Sequence, residues 1–314
     1  MKELFSKFKK MIKYLNKTIK YVHNITSLPY TFIFLDIVWC FIVYGATYND
    51  YRIFEFYDIG HNLRKTYMTR RKYNRVTNYL VDRSIINVLE DKHLFLMRFK
   101  DYIRDDVSNI NVMSFKGFED YAKENNSFIV RSNSKSFISS YKKYDLSNFR
   151  SASYMSEAIK NDKLNLIEKN FNQHKDLSNI SDFVIINVLT VYNRGVDIVA
   201  STIKYRNENN KIISGFINYN KGEIVGRFKD PDGHTYGENF EGFVIPCYDK
   251  ILELSRKLCS ELEEIRQVEW SFVVTSRGGV YLVDANVWND YVFIQTPEFL
   301  RNKEGLMTYY NRVI

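Results

Sequence analysis

The chain has 314 residues, with 45 Lys and Arg against 37 Asp and Glu, for a formal charge of +8. Hydrophobic residues at 45% and charged residues at 26% exclude wholesale disorder, and the length fits one large or two modest domains. Thirteen Gly and four Pro argue against a linker-rich or many-turned all-β chain, and the three cysteines (Cys40, Cys247, Cys259) are too scattered for a disulfide framework or a cysteine zinc site. They read as buried or idle thiols of a reducing compartment.

The positive charge is concentrated in two places. Residues 1–23 hold seven Lys and one Glu; residues 64–75 hold Arg64, Lys65, Arg70, Arg71, Lys72 and Arg75 with no acid, and the remainder is mildly acidic. This is unlike a nucleic-acid binder with a basic face throughout, so no specific nucleic-acid partner is expected. In 1–23, Leu4, Phe5, Phe8, Met11, Ile12, Leu15, Ile19 and Val22 recur at helical spacing between the lysines. The pattern predicts a helix that either packs one stripe on the domain or lies on anionic lipid headgroups. The interleaving does not match a secretory signal. The apolar run from Tyr30 to Tyr44 is short of a span and contains Asp36, which predicts a buried helix in a soluble, cytoplasmic chain.

Residues 50–125 read as mostly helical. Ser127–Arg131 reads as a strand opening into the polar loop 132–136. From about Phe183 the signal is β, with strands at 183–192, 196–205, 211–220 and 223–228 and a turn at Asn220-Lys221-Gly222. A helix follows over 248–264. Strands at 268–275 and 280–286 then flank Ser276-Arg277-Gly278-Gly279, a hairpin signal. The segments divide as a helical extension (1–50), a mostly helical lobe (51–125), a small lobe with a hinge (126–180) and an antiparallel-sheet lobe (181–314). The expected class is α+β.

The sequence lacks a Walker A loop, GxGxxG, GxSxG, HExxH and metal-spaced His or Cys pairs. Carboxylate, amide and cation chemistry remains, which suits magnesium and phosphate because a hard cation takes oxygen ligands. The last hairpin is the best place for it. Asp284 and Asn286 leave one strand on the same face, and Glu269 and Ser271 do so on the strand before. Asp and Asn at a strand end also serve as turn formers, so both readings stand.

The segment Val268–Asn286 resembles the signature hairpin of ATP-grasp proteins, in particular the sugar-transfer-associated ATP-grasp group. Asp91-Lys92 is similar to the group's D-K motif, and Phe128–Arg131 to the strand ending V-K-P. Ile167–His174 and Gly242–Asp249 are similar to two further motifs of the group, in the same order. The resemblance implies two α+β lobes clamping ATP, with a carboxylate converted to an acyl phosphate that an amine or other nucleophile attacks. It places Lys92 and Arg131 on phosphates, Glu168 in the hinge beside adenine, and Gln173 and His174 near the ribose. Glu269, Ser271, Asp284 and Asn286 would lie around Mg2+, and Lys204 or Arg206 would be the cation for transferred phosphate or substrate carboxylate. The implied setting is cell-surface polysaccharide or glycoconjugate synthesis, with ATP and a small carboxylate and an amine or sugar as partners.

The chain departs from the pattern at four positions: Arg131 stands for Lys, Ser271 for Asp, Asp284 for Glu and Asn187 for Arg. Glu269 then supplies the missing carboxylate, or the chain is a non-catalytic scaffold on the same fold. A remoter alternative is a metal-dependent glycosyltransferase using the triplet Asp230-Pro231-Asp232, which also reads as a turn. Lys92 and Arg104 alone read as solvated helix charges, His174 as a satisfied histidine, Trp270 and Trp288 as packing. The 64–75 cluster reads as a solvated helix face or a landing site for an anionic partner.

Overall fold

The computed structural model of the chain describes all residues except 1, 105–106, 134–135, 232, 238, 298 and 301–303, together with all side chains but those of 1–4, 7 and these positions. The chain divides into two compact units. One comprises Met1–Leu80 and Asp290–Ile314, the other Val81–Asn289. The four sequence segments are thus distributed over two units.

The first unit carries helices α1 (Lys2–Thr26), α2 (Tyr30–Tyr44), α3 (Tyr48–Ile53), α4 (His61–Arg64) and α5 (Arg70–Leu80). Local chemistry sets their ends. Gly45 adopts φ +69° after α2, and its amide and that of Ala46 return to the carbonyls of Phe41 and Cys40, so the last turn closes on a left-handed residue. Thr47 and Asp50 form a reciprocal capping box at the start of α3. The core is aromatic: Tyr51, Phe54, Phe56 and Tyr67 are all fully buried. Asp36, the one charge in the apolar run, faces inward. Its carboxylate takes two parallel bonds from Arg64, at 2.7 and 2.8 Å, and a third from the Tyr51 hydroxyl at 2.8 Å. Part of the basic cluster is therefore structural, since Arg64 holds Asp36 and Lys72 holds the carbonyls of Lys65 and Tyr67.

The expectation that 30–44 is a buried helix is corrected here. Only Ile33, Ile37, Cys40 and Tyr44 are buried along α2, whereas Phe32, Phe34, Leu35, Trp39, Phe41, Ile42 and Val43 are exposed. One face suffices to cover the aromatic core, so the other is left outside.

The second unit carries α6 (Asn87–Glu90), α7 (Lys92–Arg98), α8 (Phe115–Asn125), α9 (Phe137–Ser140), α10 (Ala152–Asn161), α11 (Lys175–Ser178) and α12 (Tyr248–Ser260). Its first four strands are β1 (Ser108–Asn109), β2 (Ser127–Arg131), β3 (Lys142–Asp145) and β4 (Leu166–Lys169). They form an antiparallel sheet in the order β1-β4-β2-β3. The remaining strands are β5 (Val184–Tyr192), β6 (Val196–Arg206), β7 (Ile212–Asn218), β8 (Glu223–Lys229), β9 (Thr235–Tyr236), β10 (Gln267–Val274) and β11 (Val280–Asn286). They form a second antiparallel sheet, β11-β10-β5-β6-β7-β8-β9. The structure is α+β, as the sequence predicts.

Strand alternation decides what faces where. On the large sheet, Val184, Ile186, Val188, Ile203, Val268, Trp270 and Phe272 join Ile251 and Leu258 of α12 in one core. The opposite face carries Asn187, Thr202, Lys204, Arg206, Glu269 and Ser271. On the small sheet, Phe128, Val130 and Ile167 pack with Phe118 of α8 and Met155 and Ile159 of α10. A third core joins the sheets, with Ile129 and α9's Phe137 and Ile138 against Ile185, Val273 and Val283. Beside this core the polar face of the large sheet meets the small one.

Candidate functional site

The site is built from β10 and β11 upward. Their register sets Glu269 opposite Asn286 and Ser271 opposite Asp284, so the two i, i+2 pairs lie side by side. The register slips between Ser271 and Phe272, which pairs with Leu282, leaving Val283 as the extra residue. That irregularity lets Val283 enter the joining core while Asp284 keeps its place opposite Ser271. On the other side, Ser271 is opposite Asn187 of β5. Asn187, Ser271 and Asp284 therefore lie in a row across three strands.

Asp284 is 4% exposed and has three donors. One carboxylate oxygen takes the Lys92 ammonium and the Ala285 amide (3.0 Å), and the other takes the Phe137 amide at 2.8 Å. Lys92 opens α7, whose N-cap is Asp91, accepting from the amides of His93 and Leu94. In this D-K pair Asp91 starts the helix and so aims Lys92 inward, where its ammonium also bonds the Leu89 carbonyl at 3.1 Å. The solvated-charge reading does not hold for Lys92, which is 5% exposed.

Arg131, at the end of β2, is buried. Its Nε bonds Glu168 Oε1 at 3.1 Å, its guanidinium lies 4.9 Å over the Phe137 ring, and its Nη1 is a buried atom with no hydrogen-bond partner. Glu168 sits within β4, two strand positions from Leu166, which pairs with Arg131. Gln173 is a staple: its Oε1 accepts from the Val184 amide at 2.6 Å and its Nε2 donates to the Ser181 carbonyl at 2.9 Å. His174 caps α11, its Nδ1 accepting from the Asp176 amide at 3.4 Å.

Lys204 and Glu269 reach across β5 to an Nζ–Oε1 separation of 3.2 Å, each side chain 13% exposed. Arg206 binds the small lobe instead. It donates to the carbonyls of Ile138 and Tyr141 and lies 4.5 Å over the Tyr141 ring. Burial pushes the Tyr141 phenol up, with Arg206 acting against it. Asn286 folds onto Trp288, accepting from its amide at 2.9 Å and donating to its carbonyl at 3.0 Å, which is the turn-forming role. Trp270 is wholly buried in the α12 core, its indole N–H on Thr190 Oγ1 at 2.8 Å.

Among the described residues no three His, Cys, Asp or Glu side chains converge as a metal cluster. Magnesium held against phosphates needs only one or two carboxylates. The row offers hard oxygens of that kind from Ser271 and Asp284, together with Asn187 Oδ1, a buried oxygen without a hydrogen-bond partner. The donor set fits a hard cation in type, although both nearby carboxylates are engaged by lysines.

No protein-family model matches the sequence, and no curated protein matches it. Among solved structures, the chain is similar to D-alanyl-alanine synthetase A from Vibrio cholerae, at 10% identity and a TM-score of 0.46, over 72% of this chain and 64% of that one. It is similar to the ATP-grasp ligase PsnB complexed with a minimal precursor, at 9% identity and a TM-score of 0.45, over 75% and 64%. It is also similar to the ADP complex of N5-carboxyaminoimidazole ribonucleotide synthetase, at 10% identity and a TM-score of 0.41, over 65% and 46%. The chain thus spans about half to two thirds of the length of each of these.

Asp230 serves as a turn former, its carbonyl accepting from the Gly233 amide at 2.9 Å. Burial works against the Asp230 carboxylate, yet the His234 amide and ring and the Lys211 ammonium hold its pKa below the usual range. Asp232 lies outside the described residues. Sequence reasoning missed five features: the Lys92 ammonium and the Phe137 amide on Asp284, the Arg131–Glu168 pair, the Lys204–Glu269 pair and the Arg206 clamp. Each depends on which elements become neighbours in the fold or on a backbone group, and no residue pattern signals them.

Proposed function

We propose that residues 81–289 form an ATP-grasp ligase core that uses ATP and Mg2+ to join a carboxylate to an amine or other nucleophile. The carboxylate oxygen would attack the γ-phosphorus and release ADP; the nucleophile would then attack the acyl phosphate and release phosphate. The observation that carries this reading is the meeting of Lys92, Asp284 and the Phe137 amide, because Lys92 and Asp284 belong to two different motifs and lie 192 positions apart. Arg131, with a buried guanidinium nitrogen still lacking a partner, supports a second phosphate contact.

On this reading Lys92 and Arg131 hold phosphates, and Glu168, Gln173 and His174 shape the nucleotide side. Lys204, with Arg206 at its flank, neutralises the transferred phosphoryl group. Magnesium would be held by Asp284, Ser271 and Glu269, and by Asn286 through the second lone pair of its amide oxygen, and would supply phosphate neutralisation. The setting in polysaccharide or glycoconjugate synthesis rests on the sugar-transfer-associated motifs alone. The same reading keeps the chain in the reducing cytoplasm, with α1 as a contact for anionic lipid.

A second reading, a non-catalytic scaffold on this fold, is favoured by the engagement of Asp284 and Glu269 with lysines. Calorimetric titration with ATP, with and without magnesium, separates the two. Magnesium-dependent binding supports the enzyme, and no heat and no thermal stabilisation support the scaffold.

A further inference from the structure

The exposed side of α2 has an unusual composition. Around the helix, Tyr30, Phe41, Phe34, Val38, Thr31, Ile42, Leu35, Trp39, Phe32 and Val43 follow one another over more than half of the circumference, and all are exposed. Leu35 is 64% exposed, Ile42 62% and Trp39 54%. This arc holds no charge, because Asp36 is turned inward onto Arg64 and Tyr51. An apolar arc of this breadth is far larger than the scattered apolar residues of an ordinary protein surface.

What adjoins it indicates the occupant. α1 packs beside α2 and exposes Lys9, Lys10, Lys13, Lys17 and Lys20, with Phe5, Phe8, Met11, Ile12, Tyr14 and Tyr21 among them. An uncharged apolar helix flanked by lysines and amphipathic aromatics matches the boundary between acyl chains and anionic headgroups. A second copy fits less well, because a self-complementary interface would bring two sets of these lysines together. α2 is too short to cross: 15 residues give a rod of about 22 Å against a hydrocarbon core of about 30 Å. α1 and α2 together would offer a span's length only through a 119° bend.

We propose that α2 is embedded in one leaflet of an anionic membrane, lying in the interface with its Phe34–Leu35–Trp39–Ile42 face among the acyl chains and the α1 lysines on the headgroups. This deepens the lipid contact proposed for α1 and does not depend on the nucleotide reading.

Trp39 reports on the seat directly. The full chain is floated with phosphatidylcholine vesicles containing phosphatidylserine, and its fluorescence is read with acyl chains brominated near the headgroup. The expected result is flotation with quenching, the quenching lost in Trp39→Phe while flotation persists. Leu35→Gln with Ile42→Gln replaces two exposed side chains and leaves the fold intact, and each is expected to weaken partitioning about tenfold. Flotation that salt abolishes, with no quenching, overturns the insertion of α2 and leaves the α1 contact standing. Absence of flotation overturns both. A dimer in the absence of lipid that Leu35→Gln and Ile42→Gln dissolve assigns the face to a second copy and also overturns the proposal.

Discussion

Lys92 and Asp284, 192 positions apart in the chain, form a buried ion pair in which both side chains are almost wholly out of water. Desolvating two charges is costly, and the pair persists because Asp284 also takes the amides of Phe137 and Ala285 while Lys92 takes the Leu89 carbonyl. One carboxylate thus ties α7, β11 and α9 together, and any ligand cation entering beside Asp284 must compete with an ammonium.

Lys92→Met strands that carboxylate in the interior. It is expected to cost about 3–5 kcal/mol of unfolding free energy in urea titration, the usual result of removing one partner of a buried pair. Asp284→Asn in the same background should recover part of the loss. In folded Lys92→Ala, ATP affinity should fall by roughly 1.5–3 kcal/mol, the range for a hydrogen bond to a charged group. Unchanged affinity would remove Lys92 from the nucleotide site.

Arg131→Lys tests whether charge alone matters at the end of β2. An ammonium cannot both meet Glu168 and lie flat on the Phe137 ring, as the guanidinium does. A loss of about 1–3 kcal/mol in stability is expected. A neutral result would mean that only the positive charge is used.

Glu269→Gln separates a metal role from a counter-ion role. If Glu269 contributes to the magnesium site, the variant needs more magnesium for ATP turnover, and Ser271→Asp is tolerated or binds the metal better. Turnover and magnesium dependence untouched by Glu269→Gln would confine Glu269 to its 3.2 Å pairing with Lys204. If Asp284→Asn is silent as well, the scaffold reading stands.

Lys72 gives a pH signature in the first unit. Burial, with the nearby Arg75 charge adding to it, pushes its pKa from 10.5 down to about 8. The native state then releases the proton more readily than the unfolded chain does, so the destabilisation is complete below about pH 8 and is relieved towards pH 10.5. The melting temperature of the wild type minus that of Lys72→Met should rise across this window. A difference that stays flat would show Lys72 to be solvated.

Much of the second unit is legible in the sequence because its strands are buried on one face and polar on the other. The alternation in Val268–Val274 fixes which residues join Trp270 in the core and which lie with Glu269 and Ser271. The hairpin signal at 276–279 joins these two strands, but the side-by-side arrangement of Glu269, Ser271, Asp284 and Asn286 needs Val283 as an extra residue, without which Ser271 would stand opposite Val283. Partnership is not legible in the same way. Glu168 resembles a hinge residue in its motif, but its contact with Arg131 requires β2 and β4 to be neighbours.

The amino-acid sequence by itself determined the α+β class, the faces of the regular strands from β5 to β10 and the residue types available for phosphate and magnesium. These follow from composition and local periodicity, which act over a few residues. Only the tertiary structure decided that Asp284 is held by Lys92 and the Phe137 amide, that Arg206 clamps α9, and that α2 shows most of its apolar surface to the outside. Those outcomes depend on how much surface the rest of the fold has available to cover each group. An apolar run announces that it avoids water, but whether protein or another apolar phase covers it is set by what folds against it.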